Sequence, residues 1–159
     1  MNLNELREVT KKEGWTYLCE RVLAGESLVL NDFDTYWVEA GHRIREQIGN
    51  DSLLSQMLRR LLPPYQGGPI RLYRGENIYR WNLGKVGFCW TEDIEIARMF
   101  AQGLNAVRGG GVLLSGEFQP EAVISGPGSH SRYLGENQFT VDPFLLATTC
   151  ALAKYPECE

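Results

Sequence analysis

PPYQGGPIRLYRG, residues 63–75, is the stretch in which the chain changes character. Two prolines stop whatever helix precedes them, because proline removes a backbone donor and clashes with the turn before it. Gly67, Gly68 and Pro69 break the chain again. IRLYRG then opens with apolar Ile70 and Leu72 alternating against Arg71, the period of a strand.

The residues on either side follow this division. Upstream, Trp15, Leu18, Cys19, Val22 and Leu23 fall at the spacing of one buried helical stripe. Asn31 or Asp32 can cap a second helix that turns Phe33, Trp37, Ala40, Ile44 and Ile48 inward and ends at Gly49-Asn50. Asp51 or Ser52 can cap a third, with Leu54, Met57, Leu58, Leu61 and Leu62 inward. Downstream, GFCWT reads as a strand and TEDIEIARMFAQGL as a helix with Thr91 at its N-cap and Ile96, Ala97, Phe100 and Leu104 as its buried stripe. VLLSGEF and QFTVD read as further strands, and Pro143 opens a last predicted helix, PFLLATTCALAKY. GENIYRWNLGKV and GPGSHSRYLG read as loops. Helices first, then strands interrupted by a helix, predict the α+β class rather than a doubly wound sheet. The expected organisation is one domain over 1–159, with a helical part at 1–66 and a β-rich core at 67–159.

Composition bounds the function. A chain of 159 residues, 43% apolar, can bury a sizeable core. Its net charge of −4 argues against indiscriminate nucleic-acid binding. Residues 59–85 nevertheless hold Arg59, Arg60, Arg71, Arg74, Arg80 and Lys85 against Glu76 alone. That stretch is either a solvated basic face or an anion-binding surface. No apolar run suits a membrane span, and the polar start does not read as a signal peptide. Cys19, Cys89, Cys150 and Cys158 lack C-x-x-C spacing, so reduced thiols and a cytoplasmic location are expected. A zinc site would have to draw His42 or His130 from scattered positions.

Phosphate-loop, dinucleotide-fingerprint, zincin and nucleophile-elbow motifs are absent. Three segments remain. In LYRG an arginine ends an apolar strand before a glycine that would let a ligand approach the backbone. In GFCWT a strand ends in a large aromatic and a hydroxyl. In GENQF an acid and an amide, Glu136 and Gln138, share one side of an extended chain. Each alone has a plain structural explanation: a solvated strand end, a helix cap, a polar strand edge.

In this order, over residues 70–145, the three segments resemble the motifs of the ADP-ribosyltransferase superfamily, in the branch built on an arginine, a strand-borne Ser/Thr and a glutamate. The resemblance implies a split, clamp-shaped β-sandwich with an N-terminal helical part, binding NAD as co-substrate in an extended crevice. It implies that Tyr73, Arg74 and Gly75 grip the dinucleotide and that Thr91 orients the nicotinamide-side ribose or the glutamate. Tyr79, Trp90 or Phe100 would wall the rings. It further implies transfer of ADP-ribose to a macromolecular acceptor, such as a protein, by a phage or bacterial effector or toxin.

One departure stands out. Aligned with the family pattern, Glu136 takes the first acid position and Gln138 the catalytic glutamate's place. A carboxylate there would stabilise the oxocarbenium-like charge that develops as nicotinamide leaves, and an amide offers no full negative charge. The chain is then a binder without turnover, a form in which Gln stands in for Glu and traps a ligand, or an enzyme in which Glu136 does the work. The competing class is a catalytically inactive interaction protein that keeps the fold and blocks a host complex, as an anti-defence protein would.

Overall fold

The computed structural model describes residues 1–145 and 148–158. The α+β class is what the chain adopts: among the described residues, seven α-helices accompany a six-stranded antiparallel sheet. The helical layer comprises α1 (Leu3–Lys11), α2 (Trp15–Leu23), α3 (Phe33–Ile48) and α4 (Asp51–Leu61). The expected stripe of α3 is buried at all five positions, and Gly49 closes the helix in the left-handed conformation that glycine tolerates best. Caps differ by a residue from expectation. Asn50, rather than Asp51 or Ser52, caps α4 by accepting from the amide of Leu53. Asp32 precedes α3 but turns its carboxylate to the amide of Leu3, tying the first helix to the third.

The sheet consists of β1 (Ile70–Asn77), β2 (Cys89–Thr91), β3 (Gly111–Phe118), β4 (Val123–Ser125), β5 (Gln138–Val141) and β6 (Thr148–Tyr155). Its order is β4-β5-β2-β1-β3-β6. The joint between β2 and β1 is a single residue pair, Tyr73 opposite Thr91, whereas β1 and β3 pair along the full length of both strands. The sheet therefore divides into two halves, β4-β5-β2 and β1-β3-β6. Trp90 of one half meets Phe118 of the other edge-on at 5.0 Å, in a core that also takes Leu72, Leu114, Phe139 and Val141 from both halves. A second core lies within the helical layer and reaches the sheet through Phe88 and Ile124.

Three short elements complete the chain: α5 (Ile78–Asn82), α6 (Ile94–Gln102) and α7 (Ser129–Tyr133). The first and last lie within the stretches read as loops. Asp93, not Thr91, is the N-cap of α6, accepting from the amides of Glu95 and Ile96. The hydroxyl of Thr91 accepts from the amide of Asp93 and so shapes the turn ahead of the helix. The buried residues of α6 are Ala97 and Ala101; Leu104, expected inward, is exposed beyond the helix end.

The predicted C-terminal helix is replaced by a 3₁₀ turn at Pro143–Leu145 and by strand β6; residues 146 and 147 of that prediction lie outside the described residues. The correction has a physical reason. β3 would otherwise present an unpaired edge, and pairing β6 along it satisfies those backbone groups, which outweighs the helix preference of alanine, leucine and lysine.

Helix α6 sits on the sheet through small residues. A Cβ on Gly75 would overlap the carbonyl of Ala97 and the amide nitrogen of Ala101, and one on Gly111 would overlap the carbonyl of Ala101. Gly75→Ala is therefore expected to destabilise the fold at or above the top of the ~1–3 kcal/mol range for overpacking, because backbone atoms cannot swing aside. Thermal unfolding of the variant checks this; an unchanged midpoint would mean that α6 can lift from the sheet without cost.

Candidate functional site

The three motif segments meet at the joint between the half-sheets. Thr91 of β2 lies opposite Tyr73 of β1 on one side and opposite Gln138 of β5 on the other, so residues from all three segments form one rung across the sheet. Arg74 and Gln138 thus belong to strands separated by β2 alone.

Arg74 fills the gap that opens where β1 and β2 part. Its Nε donates to Glu76 Oε2 at 2.7 Å, and one terminal nitrogen donates to the carbonyl of Cys89 at 2.7 Å. Glu76 is fully buried and also accepts from the amides of Asn77 and Gly87, both at 2.8 Å. Gly87 is a close-approach glycine, since a Cβ there would overlap the guanidinium. Burial by itself would raise the carboxyl of Glu76, but the charge and hydrogen bond of Arg74, with the two amides, outweigh it and hold Glu76 below the usual carboxylate range. Burial likewise opposes the charge of Arg74, and Glu76 more than restores it. The pair is permanently ionised at neutral pH, and the guanidinium is committed to the protein's own backbone and carboxylate.

Cys89, partly buried on β2, lies in the same electrostatic neighbourhood. Burial pushes its thiol up to about 11; Arg74 works against that shift and Glu136 with it. Glu136, two residues ahead of Gln138 at the start of β5, thus makes its charge felt at Cys89 on β2.

The start of β5 is held from three sides. Ser131, fully buried on α7, accepts the amide of Gln138 on its hydroxyl at 2.7 Å, and its carbonyl accepts the amides of Glu136 and Asn137. Asn137 has φ of 44°, a left-handed kink that asparagine tolerates better than most residues. The indole of Trp37 donates to Thr140 at 3.0 Å, fastening β5 to α3. Beyond the strand, Asp142 accepts from Ser55 at 2.8 Å and Arg59 at 3.1 Å, fastening it to α4. A cavity of about 170 Å³ opens beside Gln138 and Thr140, between α3, the Pro63-Pro64 segment and the loop ahead of α7.

The remaining expected residues are distributed as follows. Tyr73 packs toward α6 with Ala97, Ala101 and Leu113. Gly75 makes room for α6, as described, rather than for a ligand. Trp90, expected as a wall for ligand rings, is 1% exposed in the core, with its indole donating to the carbonyl of Gly87. Tyr79 is exposed on α5, and Phe100 is partly exposed on α6, its Cβ against Gly75.

The basic stretch is not one patch. Arg59 pairs with Asp142, Arg71 with Glu117 and Arg74 with Glu76, while Arg60 donates to the carbonyls of Val22 and Leu23. Glu76, Ser131, Trp37 and Asp142 were not singled out as site residues in the sequence. Glu76 had a signal, being the one acid in that basic stretch. The others act through contacts distant in the chain, which no local pattern announces.

Among the described residues, no group of three or more His, Cys, Asp or Glu is placed to hold a metal ion, and no helix is long and apolar enough to cross a membrane. Comparison with protein-family models, with curated proteins and with solved structures finds no match.

Proposed function

We propose that the chain is an ADP-ribosyltransferase-type domain that binds NAD at the joint between its half-sheets and transfers ADP-ribose to a macromolecular acceptor, at a rate limited by the amide of Gln138. The observation that carries this reading is the rung Tyr73–Thr91–Gln138, in which three segments far apart in sequence become neighbours where the sheet splits. The two half-sheets folded over one core suit the split sandwich that the motif resemblance implies. In this reading Arg74 serves the site by fixing the spacing of β1 and β2. The hydroxyl of Thr91 and the amide of Gln138 meet the nicotinamide-side ribose, and Glu136 supplies the negative charge near the reacting bond. A phage or bacterial effector acting in the cytoplasm fits these properties.

Titration calorimetry of the intact chain with NAD tests the proposal. Saturable binding, displaced by ADP-ribose, is the expected result; a flat isotherm at millimolar NAD would sink it.

Two observations favour the second reading, an inactive interaction protein that blocks a host complex. The cavity beside Gln138, at about 170 Å³, is smaller than the ~300–1,000 Å³ of sites that engulf small molecules, and the guanidinium of Arg74 is already occupied. That reading requires a stable protein complex together with the flat NAD isotherm.

A further inference from the structure

The two outer edges of the sheet are finished differently. β4, at one end, is three residues long and buried, and its Ile124 carbonyl accepts the amide of Tyr65 at 3.1 Å, so the chain itself covers that edge. β6, at the other end, is eight residues long and largely exposed. Among the described residues its backbone bonds only to β3, so alternate N–H and C=O groups along its outer side have no protein partner. Proteins usually blunt an edge of this length with charges or proline. Here Lys154 is the one charged residue of the strand, and proline comes only after it, at Pro156. Leu114 pairs with Ala151 and Leu113 with Ala153, which leaves Leu152 as a bulge and confines regular outward pairing to Thr148–Ala151. Leu152 itself is 49% exposed beside that segment.

We propose that the outer edge of β6 takes the same strand of a second copy of this chain, antiparallel about a two-fold axis, so that two sheets join into one. Three features select a second copy. An antiparallel pair is self-complementary, because every backbone bond from one residue to another is returned by the two-fold. Side chains also match. Directly opposed residues share a face of the sheet; Thr149 and Ala151 stand beside Gly116 and Leu114 on one face, and Thr148 and Cys150 beside Glu117 and Ser115 on the other. An axis through Cys150 therefore sets Thr149 of each copy opposite Ala151 of the other, with faces matched and the bulge outside the ladder. Charge permits the approach. Lys154 lies four residues from that axis, so its two copies stand about 26 Å apart, well beyond the ~8 Å screening length at physiological salt. Glu117, on the neighbouring strand, is already neutralised by Arg71. This inference does not depend on dinucleotide binding, which the NAD titration tests separately.

The test is sedimentation equilibrium of the intact chain under reducing conditions, from micromolar to millimolar concentration. A reversible monomer–dimer equilibrium is expected. Cys150→Lys should weaken it by about tenfold or more, because two ammonium groups then face each other on the axis. Cys150→Glu should do the same, and an equimolar mixture of the two variants should restore pairing as a heterodimer. Cys150 is exposed, so neither substitution disturbs a packed core.

Should either variant fail to fold, hydrogen exchange of the unmodified chain provides a second route: outward-facing amides within Thr149–Ala151 should exchange more slowly as protein concentration rises. A chain that stays monomeric at millimolar concentration overturns the proposal and leaves the edge to an extended segment of another protein. A dimer indifferent to both variants, one that reductant dissolves, or a mixture of the variants that stays monomeric overturns it as well.

Discussion

Replacing Glu76 by alanine is expected to cost about 3–5 kcal/mol of folding stability, the range for removing one partner of a buried ion pair. The loss exceeds that of a surface pair because nothing substitutes for the carboxylate. Glu76 is fully buried, and Arg74, the amide of Asn77 and the amide of Gly87 all depend on it. Without it the guanidinium is left with a charge in a poorly solvated gap and with the Cys89 carbonyl as its remaining protein partner. Denaturant unfolding of the wild type and the variant measures the difference. A loss below about 1 kcal/mol would place the pair with exposed ion pairs and show that water reaches the gap freely.

The same experiment has a pH signature. Folding lowers the pKa of Glu76, so at acid pH the unfolded chain binds the proton more readily than the folded one. The contribution of Glu76 is therefore complete above the ordinary glutamate value of about 4.3 and is lost as pH falls through the lower folded value. The wild-type stability should fall across that window more steeply than that of Glu76→Ala, and the two curves should converge toward the acid end. Curves that stay parallel would mean that folding leaves the pKa of Glu76 where it is in the unfolded chain.

The second large effect concerns Gln138. On the proposed reading, Gln138→Glu restores a full negative charge against the ribose as positive charge develops on it, which is worth about 3–4 kcal/mol of barrier, or 10²–10³ in rate, where such groups have been removed elsewhere. NAD consumption is expected to rise at least about tenfold, measured as nicotinamide released. The discriminating partner is Glu136→Ala. If Gln138→Glu changes nothing while Glu136→Ala abolishes turnover, Glu136 is the reacting carboxylate. No turnover in any of these chains, with no NAD binding, leaves the interaction protein as the surviving reading.

How far the sequence foretold the structure depends on how local the governing interaction is. The stripes of α2, α3 and α4 were legible because burial along a helix repeats every three or four residues whatever the helix packs against. Strands β1, β2, β3 and β5 were legible from apolar alternation and glycine-rich breaks. β6 was not, because its alanines, leucine and lysine suit a helix and only the unpaired edge of β3 makes it a strand.

At the site, the adjacency of the three motif segments follows an order read in the sequence, and the rung through Thr91 gives it a geometry. The roles of single side chains were less visible. Gly75 looked like a place for a ligand and is a seat for α6; Trp90 looked like a cleft wall and joins two half-sheets. In both cases the residue type correctly signalled close approach or a large apolar contact, and the neighbour was one that strand pairing decides. The capture of Arg74 by Glu76 is a same-face contact two residues along one strand, and so could have been anticipated from alternation alone.

The single backbone pair across the middle of the sheet has a mechanical consequence. A continuous ladder shares load among many small rungs, but here a seam runs through the molecule with one stitch, and a planar cation is driven through it like a rivet, gripping an acid on one flank and a peptide oxygen on the other. Strength at that seam resides in a side chain, so one point substitution can unzip what would otherwise require cutting a strand.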